Sequence, residues 1–181
     1  RIQVQLLQLP PSFASLYIRL NLAEGLLKLH QDEDTRLTRK ETAQFLATTL
    51  QAANSLGDVR VEAQTLGQLA LLYEQQQQWA EAQHLTIQAL KLTQEHPDLA
   101  YPLYWQLGRS QVAQGQTDSA IDSYTQSIQL LESLRSDLTS ASPDVRYSFR
   151  ESVEPIYRQL VSLLLSTDTP QNPQAKNLIQ A

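Results

Sequence analysis

Between residues 66 and 89 the apolar positions recur at helical spacing on either side of a polar break. Leu66, Leu69, Ala70 and Tyr73 fall on one face of a first helix, and Ala82, Thr86 and Ala89 on one face of a second, with Trp79 where the chain turns back. The predicted unit is a helical hairpin. The same arrangement returns as Tyr104, Leu107, Gly108, Gln111, Gly115, Ala120, Tyr124 and Ser127, and 38 positions separate both Ala82 from Ala120 and Tyr73 from Gln111. One hairpin cannot bury its apolar stripe without a stacked neighbour, so a two-helix repeat of this length implies a solenoid.

The flanking sequence extends the pattern. Residues 1–9 read as the tail of a helix that Pro10 and Pro11 end, with Ser12 as N-cap of the next. That next helix carries two apolar lines, Leu16, Leu20, Ala23 and Leu27 beside Ile18, Leu22, Leu26 and Leu29, which suits burial on two sides. The polar run 31–35 is a solvated loop. Thr38 with Glu41 has capping-box spacing, Ala43, Leu46, Ala47, Leu50 and Ala53 form an inner face, and Gly57 with Asp58 closes the helix. Pro97 suits a first helical turn, and Gly115 turns the later hairpin. The helices of the array are expected to run about 15 to 18 residues, longer than average.

Beyond Leu134 the periodicity changes. Ser142, Pro143 and Asp144 form a helix start, and Val145, Phe149, Ser152, Ile156, Leu160 and Leu163 share one side of a helix that would cap the stack, with Pro155 kinking or dividing it near Glu154. The expected division is 1–9, the tail of a preceding helix; 12–56, a degenerate first repeat with a loop longer by about ten residues than usual; 59–93 and 97–136, the second and third repeats; 142–166, a capping helix; and 167–181, a linker and the start of another element.

The spacing of these residues resembles the tetratricopeptide repeat, typically about 34 residues long, with Leu-Gly, Tyr, Ala, a bulky residue and Ala at fixed positions. Departures are Ala70 for Gly, Thr86 for an aromatic and Gln111 for Tyr; the extra length is expected around residues 93–99. The resemblance implies an all-α, right-handed superhelical α-solenoid whose first helices line a concave groove for a peptide or protein segment. Carried over position by position, that groove shows Gln64, Gly67, Leu71, Glu74 and Gln75 in the second repeat and Pro102, Trp105, Arg109, Val112 and Ala113 in the third, with Tyr17, Leu20, Glu24, Leu27 and Lys28 in the first. The Lys and Asn cluster that clamps a C-terminal carboxylate in chaperone-binding relatives is not reproduced. The phrase SPDVRYSFRESVEPIYRQLVSLLL is in turn similar to the segment joining such repeats to a CHAT domain, a caspase-like fold, in bacterial multidomain proteins; this implies a recognition or regulatory portion of a protease, with an intramolecular contact to a downstream domain, rather than the protease itself.

Composition narrows the chemistry. A hydrophobic content of 41% suffices for a continuous core, while few glycines and no Val or Ile runs argue against sheet. The net charge of −5, with scattered basic residues, offers no footprint for a phosphate backbone, so nucleic acid is not expected as a partner. No run is long and apolar enough for a membrane span, and the expected compartment is the cytoplasm. The absence of cysteine removes thiolate nucleophiles and Cys-based metal sites. Asp32, Glu33 and Asp34 lack the alternation and glycine of a calcium loop. His30 and His96 are placed near helix C-termini and His84 on an outward face, none in a metal-binding spacing, and no serine sits in a nucleophile elbow. No catalytic residue, metal or cofactor is expected.

The expected function is therefore non-catalytic binding of a protein or peptide. Trp105 and Arg109, four residues apart, suit a binding hot spot; equally, Trp105 could pack on a neighbouring repeat or the C-terminal helix with Arg109 stacked over it. Two other roles stay open, self-association through the apolar 1–9 end and a rigid spacer whose groove its own C-terminal helix fills.

Overall fold

The structure, a computed structural model, describes residues 2–29, 36–137 and 143–166, with the side chains of residues 29, 36–38, 135–137 and 143–152 left aside. Within them the chain forms α1 (Ile2–Gln8), α2 (Phe13–Leu29), α3 (Arg36–Leu56), α4 (Val59–Gln75), α5 (Trp79–Lys91), α6 (Pro97–Ala113), α7 (Thr117–Asp137) and α8 (Pro143–Ser166). Consecutive helices pack as antiparallel hairpins, α2 with α3, α4 with α5 and α6 with α7, and α4 also meets the first helices on either side of it, α2 and α6. The all-α stack implied by the repeat spacing is what the structure shows. The acidic run with Asp32, Glu33 and Asp34, His30, Ser142 and the linker 167–181 lie outside the described residues, as do the side chains of Thr38, Val145, Phe149 and Ser152.

Local chemistry explains most of the boundaries. Ser12 and Ser15 exchange side-chain-to-backbone hydrogen bonds at the start of α2, 2.9 Å from Ser12 N–H to Ser15 Oγ and 3.2 Å from Ser15 N–H to Ser12 Oγ, a reciprocal box with serine in the glutamate position. At the end of α3, Gly57 takes φ 68° and the Asp58 amide reaches back to the Ala53 carbonyl. Asp58 then caps α4 through Oδ1, which accepts from Val61 N–H at 3.1 Å. Arg19, 2% exposed, ties down α1 by donating from Nη2 to the carbonyls of Leu6 and Leu9 at 3.0 and 3.1 Å. Those carbonyls lie at a helix C-terminus, where a cation is favoured.

Several positions differ from the sequence expectation. Helix α3 starts at Arg36, so Thr38 lies inside its first turn rather than capping it. The inner stripe of α3 runs through Thr42, Phe45, Leu46, Thr49 and Ala53, while Ala47 faces solvent. Buried threonines serve there because the hydroxyl bonds back one turn, as Thr49 does to the Phe45 carbonyl at 2.9 Å. The first helices α2, α4 and α6 are each 17 residues long, but the second helices are 21, 13 and 21. Pro155 does not divide α8, which runs through it as Pro102 lies within α6. The packing of Val153, Ile156 and Leu160 on Tyr124, Ile128 and Leu131 holds α8 on both sides of the proline. His96 is the N-cap of α6, not the end of α5, because the residue before a proline leaves the helical region.

Equivalent positions of the repeat meet equivalent demands. Ala82 and Ala120 are both fully buried, each one turn into the second helix of its hairpin. The hairpin turns coincide as well: Gln78 N–H reaches the Tyr73 carbonyl and Gln116 N–H the Gln111 carbonyl, with the intervening left-handed residue Gln77 (φ 59°) in one and Gly115 (φ 72°) in the other. A side chain is strained there. Replacing Gln77 by glycine is expected to stabilise the chain by about 1 kcal/mol, read as a higher urea midpoint at unchanged slope.

Candidate functional site

The face built by the first helices is held together by side chains that reach across to backbone. Gln68 Nε2 donates to the Leu20 carbonyl and Gln75 Nε2 to the Leu27 carbonyl, both at 3.1 Å, and Gln106 Nε2 donates to the Gly67 carbonyl at 3.2 Å. These bonds fix the spacing of α2, α4 and α6. The first two span 48 residues and the third 39, so the longer chain between α2 and α4 leaves the register intact. A Cβ on Gly67 would come within 2.8 Å of Leu103 Cδ2, so glycine permits the close approach of α4 to α6.

On this face Gln64 and Leu71 are half-buried, while Pro102, Val112 and Ala113 are exposed. Leu20 and Leu27, placed in the groove by sequence, are core residues at 4% and 1% exposure; Tyr17, Glu24 and Lys28 are exposed beside them. Gln75 is partly engaged with Leu27. Of the residues placed in the groove by sequence, the structure joins Glu74 of α4 to Arg109 of α6 and Arg109 to Trp105, and engages Gln75 with α2.

Glu74, Trp105 and Arg109 are committed to one another and to α8. Arg109 donates to Glu74 through Nε at 2.5 Å and Nη2 at 2.9 Å, a two-pronged pair with side chains only 24% and 11% exposed. Its guanidinium carbon also lies 4.6 Å from the Trp105 ring centre. Trp105 in turn donates from Nε1 to Gln159 Oε1 at 2.7 Å and packs against the α7–α8 core. Of the two readings the sequence left open, the geometry displays the contact with the C-terminal helix.

Beneath this pair lies Tyr124 of α7, whose hydroxyl ionisation is pushed up to about 12, chiefly by burial; Arg109 draws it down and Glu74 raises it. The ring is admitted because residue 108 is glycine, where a Cβ would sit 2.5 Å from Tyr124 Cε1. In the preceding repeat the equivalent residues are Ala70 and Thr86, both fully buried. Small with large and medium with medium fill the same crossing, so the two departures from the repeat signature, Ala70 and Thr86, compensate each other. Gln111, the third departure, accepts from buried Ser123 Oγ at 2.7 Å.

At the other end of the face Arg60 donates from Nη2 to Asp98 Oδ2 at 2.6 Å, and its Nη1 lies 3.1 Å from His96 Nδ1. The hydrogen bond to Asp98 holds the Arg60 guanidinium above its ordinary value. Sequence reasoning missed this cluster, although Arg60 and Asp98 are one repeat apart and equivalent positions of stacked repeats are neighbours. His84 is exposed and contacts Gln88. An open cleft of about 740 Å³ lies between the hairpins on the second-helix side, lined by Leu50, Asn54, Glu62, Leu66, Gln88 and Lys91, and shares no residue with this face. Among the described residues, no group of three His, Cys, Asp or Glu could hold a metal, and no helix is long and apolar enough to cross a membrane.

No curated protein matches the chain. The family model of the tetratricopeptide repeat matches residues 61–133, which takes in most of α4, all of α5 and α6, and most of α7. With the 38-residue recurrence, the paired alanine crossings and the equivalent turns on the same stretch, residues 61–133 are tetratricopeptide repeats.

Proposed function

We propose that the chain is a non-catalytic binding module whose first-helix face, centred on Gln64, Leu71, Gln75 and Val112, takes up a segment of another protein. The observation that carries this reading is the composition of that face. Leu71 and the 41% exposed Val112 stand apolar beside the Glu74–Arg109 pair, on helices tied together by glutamine side chains that donate to backbone carbonyls of the neighbouring helix. Preformed spacing lowers the ordering cost of binding. The repeat family supports protein partners in general.

Peptides selected from a random display library on the intact chain provide the probe. Leu71→Arg and Val112→Arg are expected to weaken the best of them by about tenfold or more each, since a charge replaces an apolar contact, with no change in the thermal midpoint. Unchanged affinity in both variants would refute the assignment of the face. In the same reading the array regulates a caspase-like CHAT domain of the same polypeptide, supported by the resemblance of residues 142–165. A sequence beyond Ala181 without a His and a Cys in a caspase-like α/β pattern would remove that part alone.

A further inference from the structure

The first helices are joined in two different ways. Between α2 and α4 and between α4 and α6, glutamine side chains donate to backbone carbonyls, and Gly67 lets α4 and α6 close on each other. A backbone carbonyl is held by its own helix, so these joints have a set spacing. The 38-residue recurrence puts Trp105 where the preceding repeat has Gly67, and Arg109 where it has Leu71. A large ring therefore stands between α6 and α8, and the bond across it runs from Trp105 Nε1 to Oε1 of the Gln159 side chain at 2.7 Å. Both ends of that bond are side chains with torsions of their own.

What hangs on the indole is the border of the binding face. Arg109 lies with its guanidinium carbon 4.6 Å from the Trp105 ring centre and grips Glu74 of α4 through Nε and Nη2. Residues 105, 109 and 112 follow one another along one side of α6, so Arg109 stands between Trp105 and the exposed Val112. From Gln159 to Glu74 the contacts run unbroken across three helices, α8, α6 and α4. Trp105 and Gln159 are both half-buried, which strengthens the bond between them relative to one in water. An indole held at its N–H has its outer torsion fixed, and the guanidinium stacked on its face is fixed with it.

We infer that Gln159 is a positioning residue for the binding face: by holding the Trp105 indole it sets the Arg109–Glu74 pair in the orientation that borders Leu71 and Val112. The inference rests on the reading of that face as the surface that takes up a protein segment. Gln159 itself then needs no contact with the segment. Seating of α8 and uptake on the face become coupled, each favouring the other by the same factor, so whatever draws α8 from α6 loosens the grip of the face.

Peptides selected from a random display library on the intact chain again serve as the probe, with affinity measured by titration. Gln159→Leu fills similar space without an acceptor, and Trp105→Phe keeps a ring under Arg109 without a donor. Each is expected to weaken the best peptide about fivefold with the helical circular dichroism unchanged. The double variant is expected to bind no worse than either single one, since both remove the same bond. Gln159→Glu, with an acceptor oxygen on a stem of the same length, is expected to keep the wild-type affinity. Unchanged affinity in Gln159→Leu, an equal loss in Gln159→Glu, or losses that add in the double variant overturn the inference. So does a loss in Gln159→Leu that Trp105→Phe does not share, which would mean that Gln159 touches the peptide itself. Leu71→Arg and Val112→Arg in the same series separate the two readings. If both bind like wild type, the face is misplaced and the inference goes with it; if they bind weakly while Gln159→Leu does not, the face stands and the role of Gln159 alone falls.

Discussion

Adding one methyl group at Gly108 is expected to destabilise the array by about 2 kcal/mol, the scale of overpacking in a filled core. The new Cβ would lie 2.5 and 2.6 Å from Cε1 and Cδ1 of Tyr124. The obstacle is the body of a ring that is 2% exposed and wedged among Ile128, Leu131, Ile156 and their neighbours, so it has nowhere to move. Tyr124→Thr alone is expected to destabilise by about 3 kcal/mol through the cavity it leaves. The double variant Gly108→Ala with Tyr124→Thr rebuilds the Ala70 and Thr86 crossing of the second repeat, and should fall short of the summed losses by about 1–2 kcal/mol. Urea unfolding of the three variants measures that coupling. Strict additivity would mean that the two repeats do not share a crossing geometry.

The second large effect concerns Arg109. From sequence it is a candidate contact for a partner, and reversing its charge would then spare the fold. The structure leads to the opposite expectation, because Arg109→Glu sets two carboxylates against each other where the Glu74 side chain is only 11% exposed. Losing a partly buried, two-pronged pair and leaving a charge uncompensated should destabilise by about 3 kcal/mol. The stacking on Trp105 is lost with it. The charge-swapped variant Glu74→Arg with Arg109→Glu is expected to recover a large part of the loss, and thermal melts of the three variants decide the matter. A wild-type melting point for Arg109→Glu would return the residue to the list of free surface groups.

These two sites show where reading the chain stopped. Helical periodicity placed the core of α2 at Leu16, Leu20, Ala23 and Leu27, all buried, and the small residues of α5 at Ala82, Thr86 and Ala89, all fully buried. Such positions are legible because a helix repeats every 3.6 residues and must hide one stripe. Turn chemistry was legible for a related reason. Gly57 and Gly115 take backbone conformations that disfavour a side chain, although Gln77 shows that the same turn tolerates one. In α3 the periodicity was displaced onto alanines because buried threonine hydroxyls, satisfied by their own helix, look polar in a sequence.

Side-chain partners across helices were another matter. That Glu74 meets Arg109 35 residues away, Trp105 meets Gln159 54 residues away and Arg60 meets Asp98 depends on how far one hairpin is rotated and shifted against the next. Local spacing carries no such information. The sequence by itself determined that the chain is helical, that its hairpins recur, and which stripe of each helix turns inward, since these follow from backbone geometry and burial within one or two turns. Only the tertiary structure decided which polar groups are occupied and which stay open, because a hydrogen bond is made or missed over a fraction of an ångström set by packing between helices far apart in the chain.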